Sequence, residues 1–405
     1  MGWIKRSAAL GFAACALSGV AQAEPPPGYV YGEETKGVTL RYWEDADMTI
    51  RLRLQPRLDI GDLYTNAKGD NVTESDFYLR RLRLDLGGHL VKNLTYSLTF
   101  SNDKAGKADK DANVAFGSEN AYLNFRFANA FGLRFGKGKL PYSRIALTSS
   151  AKQLLIERPQ SVEAAKKEFD DYFQPNLMVH GKFGGGVLQY QLAAADGSRY
   201  QQDNKTPVVA AGDINGNKVR SRPAVIARLV LSPHAWIEGE QSDAHLGGRF
   251  PGDKHLALGL DVGQQRGLAA IDGNIQYDRT LYGGDLSLHY GGFSAQAEYN
   301  TWTNTKTNAP DAVPAGWYVQ AGYLISGIFV EPVARYEQYN RDTKAAAGPM
   351  DKLDRVAIAG LNWYLKGHSL KLGANWVGTR LGPGNAVTGG DTTTNVYQVQ
   401  AQLYF

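Results

Sequence analysis

The sequence predicts an all-β protein, a transmembrane antiparallel β-barrel of about 16 strands. Three observations predict it: an export signal, segments in which apolar and polar residues alternate, and connections that alternate between short and long. Outside the N-terminus no run approaches the roughly 18 apolar residues that a spanning helix needs. The formal net charge of +4 is too small to indicate a nucleic-acid-binding protein.

Residues 1–23 are predicted to be a secretory signal peptide. A basic pair, Lys5-Arg6, precedes the apolar run 7–20, and Ala21-Gln22-Ala23 is a small-residue cleavage site. A lipoprotein site at Cys15 is a weaker alternative, because the apolar run before it is too short. Cleavage after Ala23 removes the single cysteine and lowers the net charge from +4 to +2. The mature chain is therefore expected to be exported and to use no disulfides.

Residues 24–46 begin with prolines and are expected to form an extended lead-in, whereas residues 47–405 are expected to form the barrel. In Ile50-Arg51-Leu52-Arg53-Leu54 the apolar side chains are even-numbered and the arginines odd-numbered. A period of two places the two sets on opposite faces of a strand. Sixteen segments of this kind lie near 48–60, 77–87, 93–101, 119–127, 131–138, 175–183, 187–195, 223–231, 255–263, 279–290, 293–303, 316–326, 328–340, 353–366, 368–379 and 395–405.

The connections between these segments are sorted by length. Short ones such as Gly184–Gly186 and Gly291-Gly292 alternate with long ones such as 61–76 and 139–174. Short turns on one rim and long loops on the other are typical of outer-membrane barrels, whereas a soluble all-β protein, the alternative, has no reason to sort its loops. The connection 232–254 is too long for a short turn, so the barrel could contain up to two more strands or two fewer in this region.

In a membrane barrel the polar faces of the strands are expected to line an aqueous lumen. Residues 120–156 contain six bases and no acid, and more arginines precede them on the first two strands. Rings of arginine and lysine select anions. The candidate pore-lining and anion-selectivity residues are Arg51, Arg53, Arg80, Arg81, Arg83, Arg126, Arg134, Lys137, Lys139, Arg144 and Lys152. Parity also directs Lys182, Arg228, Arg335 and Lys371 into the lumen, with acids such as Asp85, Asp261, Asp285, Glu298, Glu331 and Glu337.

The third loop, residues 139–174, is the longest connection. Its first part is rich in small and hydroxyl residues, and its second half carries charges of both signs. Because a loop this long is usually functional, we expect it to fold into the lumen as a constriction. An exposed extracellular loop is the alternative.

Several ordered motifs resemble the phosphate-selective porins O and P of Gram-negative outer membranes. They are 77–88 (FYLRRLRLDLGG), 121–127 (AYLNFRF), 134–142 (RFGKGKLPY), 147–150 (LTSS), 157–158 (ER), 177–183 (LMVHGKF), 316–323 (GWYVQAGY), 331–336 (EPVARY), 360–365 (GLNWYL) and 402–405 (QLYF). The resemblance implies a sixteen-stranded homotrimeric porin with a basic constriction. Arg80 and Arg81 match the family's paired arginines, and Lys137 or Lys139 matches its lysine before the proline. The arginine ladder of phosphate-specific members is not matched, which leaves the solute open.

These observations predict an outer-membrane porin for passive, anion-preferring diffusion of phosphate or a related oxyanion. The expected partners are small anions and the lipid and lipopolysaccharide of the outer membrane, and no cofactor, metal, catalytic residue or nucleic acid is implied. A general non-specific porin and a structural sheath for a partner protein are the alternatives. An outer-membrane enzyme is disfavoured, because none of the seven histidines lies in a nucleophile motif.

Overall fold

The structure is a computed structural model that describes residues 30–33, 37–107, 116–168, 172–197, 200–201, 206–210, 223–238, 254–270, 276–306, 310–346, 348, 350–386 and 390–405. The predicted signal peptide 1–23 lies outside these residues, as does much of the predicted lead-in 24–46. Neither described α-helix has the length and apolarity that crossing a membrane requires.

Twenty strands and two short helices are present in the described part of the chain. The strands are β1 Val30–Glu33, β2 Gly37–Trp43, β3 Ala46–Thr65, β4 Asn71–Val91, β5 Leu94–Ala105, β6 Gly117–Ala128, β7 Phe131–Lys139, β8 Phe173–Phe183, β9 Leu188–Ala195, β10 Tyr200–Gln201, β11 Thr206–Ala210, β12 Ala224–Leu231, β13 Lys254–Ala270, β14 Gln276–Tyr290, β15 Phe293–Lys306, β16 Ala315–Tyr323, β17 Val330–Asn340, β18 Leu353–Lys366, β19 Leu370–Arg380 and β20 Thr393–Tyr404. The helices are α1 Arg144–Leu147 and α2 Gln160–Glu168.

Sixteen of the strands, β3–β9 and β12–β20, close into one antiparallel barrel. Each pairs with the next, β9 pairs with β12, and β20 closes the barrel on β3 with Val399 opposite Leu58. The predicted all-β antiparallel barrel is therefore confirmed. The three residues His234–Trp236, in the connection that left the count open, form a 3₁₀ turn.

The four remaining strands are short additions to the barrel. The β1–β2 hairpin extends the sheet beside β3, where Val38 pairs with Ile50 and Trp43 with Ala46. The β10–β11 hairpin extends it elsewhere, through pairing of β11 with β13. The described part of the lead-in is thus paired to the barrel wall.

Burial along the strands is inverted relative to a soluble protein. On β13, Leu260 is 49% exposed, whereas its neighbour Asp261 is 5% exposed. The same contrast runs along the other barrel strands, where apolar side chains are exposed and polar ones are buried. Exposed aromatic residues such as Tyr290 and Trp363 lie near strand ends, the position of the interfacial girdles. The apolar faces therefore form the lipid-facing surface, and the polar faces point into the barrel.

Candidate functional site

The first part of the third loop contacts carboxylates on three consecutive strands. Each of these acids lies on the polar face of its strand, as the sequence parity predicts. The contacts are Ser143 N donating to Asp261 Oδ2 of β13 (2.8 Å), Arg144 Nε donating to Asp285 Oδ1 of β14 (2.6 Å) and Ile145 N donating to Glu298 Oε2 of β15 (3.3 Å). These contacts fix the start of the loop to the β13–β15 wall.

Arg144 lies at the centre of a buried ion-pair cluster. Its guanidinium contacts Asp285 and also Glu238, which belongs to the connection between β12 and β13. Arg228 of β12 contacts Asp261 (2.5 Å) and Asp285 (2.7 Å) in the same cluster. The two guanidiniums contact three carboxylates, and such opposite charge is the condition for placing them out of water. Arg144 is therefore a fixed structural cation in this cluster.

The middle of the loop contacts the last strands of the barrel and the first. Here the loop offers mostly backbone carbonyls, and the wall offers amide and cationic donors. Arg53 of β3 donates to Ser150 Oγ (2.9 Å), Gln402 of β20 to the Ala151 carbonyl (3.0 Å), Lys371 of β19 to the Gln153 carbonyl (3.1 Å) and Asn362 of β18 to the Leu154 carbonyl (2.7 Å). The loop therefore follows the wall strand by strand.

Glu157, at the end of this series of contacts, lies among several guanidinium groups. Arg80 Nε and Nη2 donate to its two carboxylate oxygens (2.5 and 3.0 Å), Arg57 donates to the same group, and Arg81 lies 3.6 Å away. Arg335 of β17 donates to the Glu157 carbonyl (2.8 Å). Burial alone would raise the pKa of Glu157, but the three guanidiniums outweigh it and hold that pKa well below its usual range.

Apolar contacts hold the same loop. In each of three buried clusters, loop residues pack against inward-facing side chains of the strands. Leu140 and Tyr142 pack with Trp302, and Leu154 packs with Val333, where burial of apolar area stabilises the contact. The loop is thus attached by ion pairs, hydrogen bonds and apolar packing together.

A cavity of about 760 Å³ lies beside the loop, against the early strands. Its walls come from β3–β9 and β12, from Tyr404 and from four loop residues between Leu147 and Lys152. Among the described residues, nine bases and two acids line it. The bases are Arg51, Arg53, Arg83, Arg126, Arg134, Lys139, Lys152, Lys182 and Arg228, and the acids are Asp85 and Glu119. The cavity is strongly basic, although the whole chain has a net charge of only +4.

Seven of the eleven candidate residues line this cavity: Arg51, Arg53, Arg83, Arg126, Arg134, Lys139 and Lys152. The other four are not part of its lining. Arg80 and Arg81 contact Glu157, and Arg144 lies in its own ion-pair cluster. Lys137 Nζ donates to the Ser118 carbonyl (2.6 Å). Three of the four bases outside the lining thus hold the third loop and Lys137 contacts β6, whereas Arg53 and Lys139 both line the cavity and contact the loop.

Two lining bases, Lys182 and Arg228, were missing from the candidate set. Strand parity directs both into the lumen, so the signal was present in the sequence. The candidate set comprises bases of the first two strands and of the acid-free segment 120–156, and neither residue lies in these regions. For these two residues the strand alternation predicts the position better than the acid-free segment does.

Acidic residues on the later strands accept hydrogen bonds instead of lining the cavity. Asp261, Asp285 and Glu298 accept hydrogen bonds from the loop, and Glu337 accepts one from Gln160 N (2.9 Å). Glu331 accepts from Tyr364 and Asn362. None of these five is in the lining of the described cavity. Four of these acids thus contact the third loop, and Glu331 contacts side chains of β18.

Two lysines mark the loop side of the cavity. Lys139 Nζ donates to the carbonyls of Ala146 (2.8 Å) and Leu147 (2.9 Å) at the end of α1. Burial, with Arg51 and Arg53 nearby, lowers the pKa of Lys152 to about 8. Both lysines thus lie where the third loop meets the cavity.

Comparisons with known proteins agree with this fold. A family profile described as "Phosphate-selective porin O and P" matches residues 50–405. An uncharacterized protein of Aquifex aeolicus (strain VF5) is 34% identical over 398 residues, which cover 93% of this chain and 92% of that protein. An anion-selective porin from Comamonas acidovorans superposes with a TM-score of 0.59 at 14% identity, over 89% of this chain and 100% of that one. The outer membrane channel DcaP of Acinetobacter baumannii superposes with a TM-score of 0.57 at 13% identity, over 89% and 98%.

Proposed function

Because the chain belongs to the phosphate-selective porin O and P family and is an outer-membrane porin, we propose that it passes small anions by passive diffusion. Phosphate or a related oxyanion is the leading solute. The observation that carries the proposal is the lining of the cavity, with nine bases against two acids among the described residues. Cationic rings of this kind favour anions over cations.

We further propose that the third loop narrows the pore. Its contacts run along the polar faces of β13–β15, β17–β20 and β3, and its residues Ser149, Ser150 and Lys152 line the cavity. The loop would thereby leave the basic early strands as the open side. Hydroxyl and ammonium groups on the loop would replace part of the hydration shell of a passing anion.

Passage would follow from weak charge-assisted contacts in series. Guanidiniums such as Arg134 present paired donors that match the oxygens of a phosphate, whereas lysine ammonium groups act as point charges. Several weak sites allow both binding and release, which conduction requires. The acids Asp85 and Glu119 lie near Arg53 (3.8 Å) and Arg83 (2.5 Å), which moderates the attraction.

The assembly and the surroundings are proposals of the same kind. A homotrimer is what family membership suggests, and the exposed apolar belt suits contact with lipid and lipopolysaccharide. Residues 1–23 are proposed to direct export. No cofactor, metal or catalytic group enters the proposed function.

Titration of single-channel chloride current with phosphate tests the proposed solute. We expect phosphate to reduce the current in a saturating manner, because it would reside longer than chloride among the paired donors. Arg126→Gln should weaken this reduction several-fold, because Arg126 lines the cavity, whereas Lys344→Gln, an exposed lysine outside the cavity lining, should not change it. A current that phosphate reduces no more than nitrate does at equal ionic strength would support the general porin instead.

A further inference from the structure

We propose that Glu157 is a positioning residue for permeation, whose carboxylate sets the width of the passage by holding the third loop against β3 and β4. The inference rests on the proposed porin function and adds a residue that need not touch the solute. It concerns the loop's distance from the wall, which the lining bases alone do not determine.

The loop wall of the cavity lies between two ionic contacts. Arg144 fixes the loop to the β14 carboxylate of Asp285, and Glu157 fixes it to Arg57 and Arg80 on β3 and β4. The residues that line the cavity, between Leu147 and Lys152, lie between these two points. A displacement at either end therefore moves the lining residues.

Glu157 also joins two separated parts of the barrel. Its carbonyl accepts from Arg335 of β17, and its carboxylate contacts β3 and β4. Between β17 and β3 along the wall lie β18, β19 and β20. The residue thus spans a curved part of the wall and holds the loop close to it.

The charges explain why this contact is specific. Arg57, Arg80 and Arg81 converge on one carboxylate, and their side chains are largely buried. Asp59 contacts Arg57, and Asp103 lies near Arg80 and Arg81, but Glu157 is the carboxylate that all three guanidiniums share. Without it three guanidiniums face two carboxylates in a poorly hydrated place, and the segment would move away from the wall. A neutral glutamine keeps the shape of the side chain but not the charge.

Flux of an uncharged sugar through the porin in liposomes measures width without a contribution from charge. We expect Glu157→Gln to change the flux of a neutral disaccharide several-fold, because the loop is released from the wall. Glu163→Gln is the matched control, since Glu163 is on the same loop but is more exposed and contacts Arg158 only at 3.9 Å. Glu157→Asp should return the flux toward the wild-type value.

Substitution of the arginines that contact Glu157 distinguishes an effect on the width of the passage from an effect on its charge. Arg57→Gln with Arg80→Gln removes the same contact, so it should change the sugar flux in the same direction as Glu157→Gln. Their effects on the reversal potential should be opposite, because one variant removes a negative charge and the other removes positive charges. If Glu157→Gln does not yield a heat-modifiable folded barrel, Arg80→Gln alone replaces it.

Unchanged sugar flux in the folded Glu157→Gln and Arg80→Gln variants would overturn the inference, even if their thermal stability fell. That result would leave the proposed function intact, provided the wild-type channel still prefers anions. A wild-type channel with no anion preference would instead contradict the proposed function, whatever the variants did to sugar flux.

Discussion

The effect of an inward-facing charge depends on what each side chain contacts. Arg81 and Arg53 are both buried arginines on neighbouring strands, yet Arg81 lies near Glu157 and Arg53 lines the cavity. Arg83 lines the cavity but is paired with Glu119. Lys152 lies beside Arg51 and Arg53, where like charges and burial oppose its protonation. A count of charges in the sequence therefore overstates the contribution of bases that are paired with acids. It also misses that the charge of Lys152 depends on pH near neutrality.

The lowered pKa of Lys152 leads us to expect that ion selectivity depends on pH. Its pKa is lowered to about 8 by burial and by Arg51 and Arg53, so it is charged below about pH 8 and neutral above. We expect the anion-to-cation permeability ratio to fall modestly between about pH 7 and about pH 9, because one of several lining charges is lost. Reversal potentials measured across this range check the prediction.

Lys152→Gln is the control for that experiment. It should give the reduced ratio already at neutral pH and should remove the step near pH 8. A step that persists unchanged in Lys152→Gln would assign the titration to another group.

At the scale of elements, the strands were predictable and the loop contacts were not. The alternation in Ile50–Leu54 reports the two faces of β3 directly, because a strand has a period of two. The loop has no period, and its Arg144 contacts a carboxylate 141 positions away on β14. No local pattern carries that information. For the same reason the sequence could not decide between Lys137 and Lys139, of which Lys139 lines the cavity.

Two glycines on the β13–β14 hairpin give a matched test of the ion-pair cluster. A Cβ on Gly259 would lie 2.5 Å from Arg228 Nη2 and closer still to the Asp285 carboxylate, whereas on Gly284 it would lie 3.8 Å from its nearest neighbours. We expect Gly259→Ala to destabilise the barrel by about 1–3 kcal/mol, the usual cost of overpacking a filled site, because the Arg228 and Asp285 side chains must shift. Gly284→Ala should change little.

Urea unfolding in detergent or lipid measures both glycine variants. Equal stability of Gly259→Ala and Gly284→Ala would contradict the tight packing of Arg228, Asp285 and Arg144 around this position.

At the scale of the whole molecule, the charges are divided between two sides of the barrel. The acids of β13–β15 and β17 bind the third loop, and the bases of β3, β4, β6–β8 and β12 line the cavity. A net charge of +4 over 405 residues conceals this division, because it sums all 44 bases and 40 acids of the chain wherever they lie. The fold class could be predicted from the sequence. Which charges contact the loop and which line the cavity could be seen only once the position of the loop was known.

The reversal potential of the wild-type channel in a steep potassium chloride gradient tests the central claim most directly. A lumen lined mainly by bases predicts a potential whose sign shows chloride carrying more current than potassium. A potential of the opposite sign, or one near zero, would contradict the proposal that the basic cavity is the path of permeation.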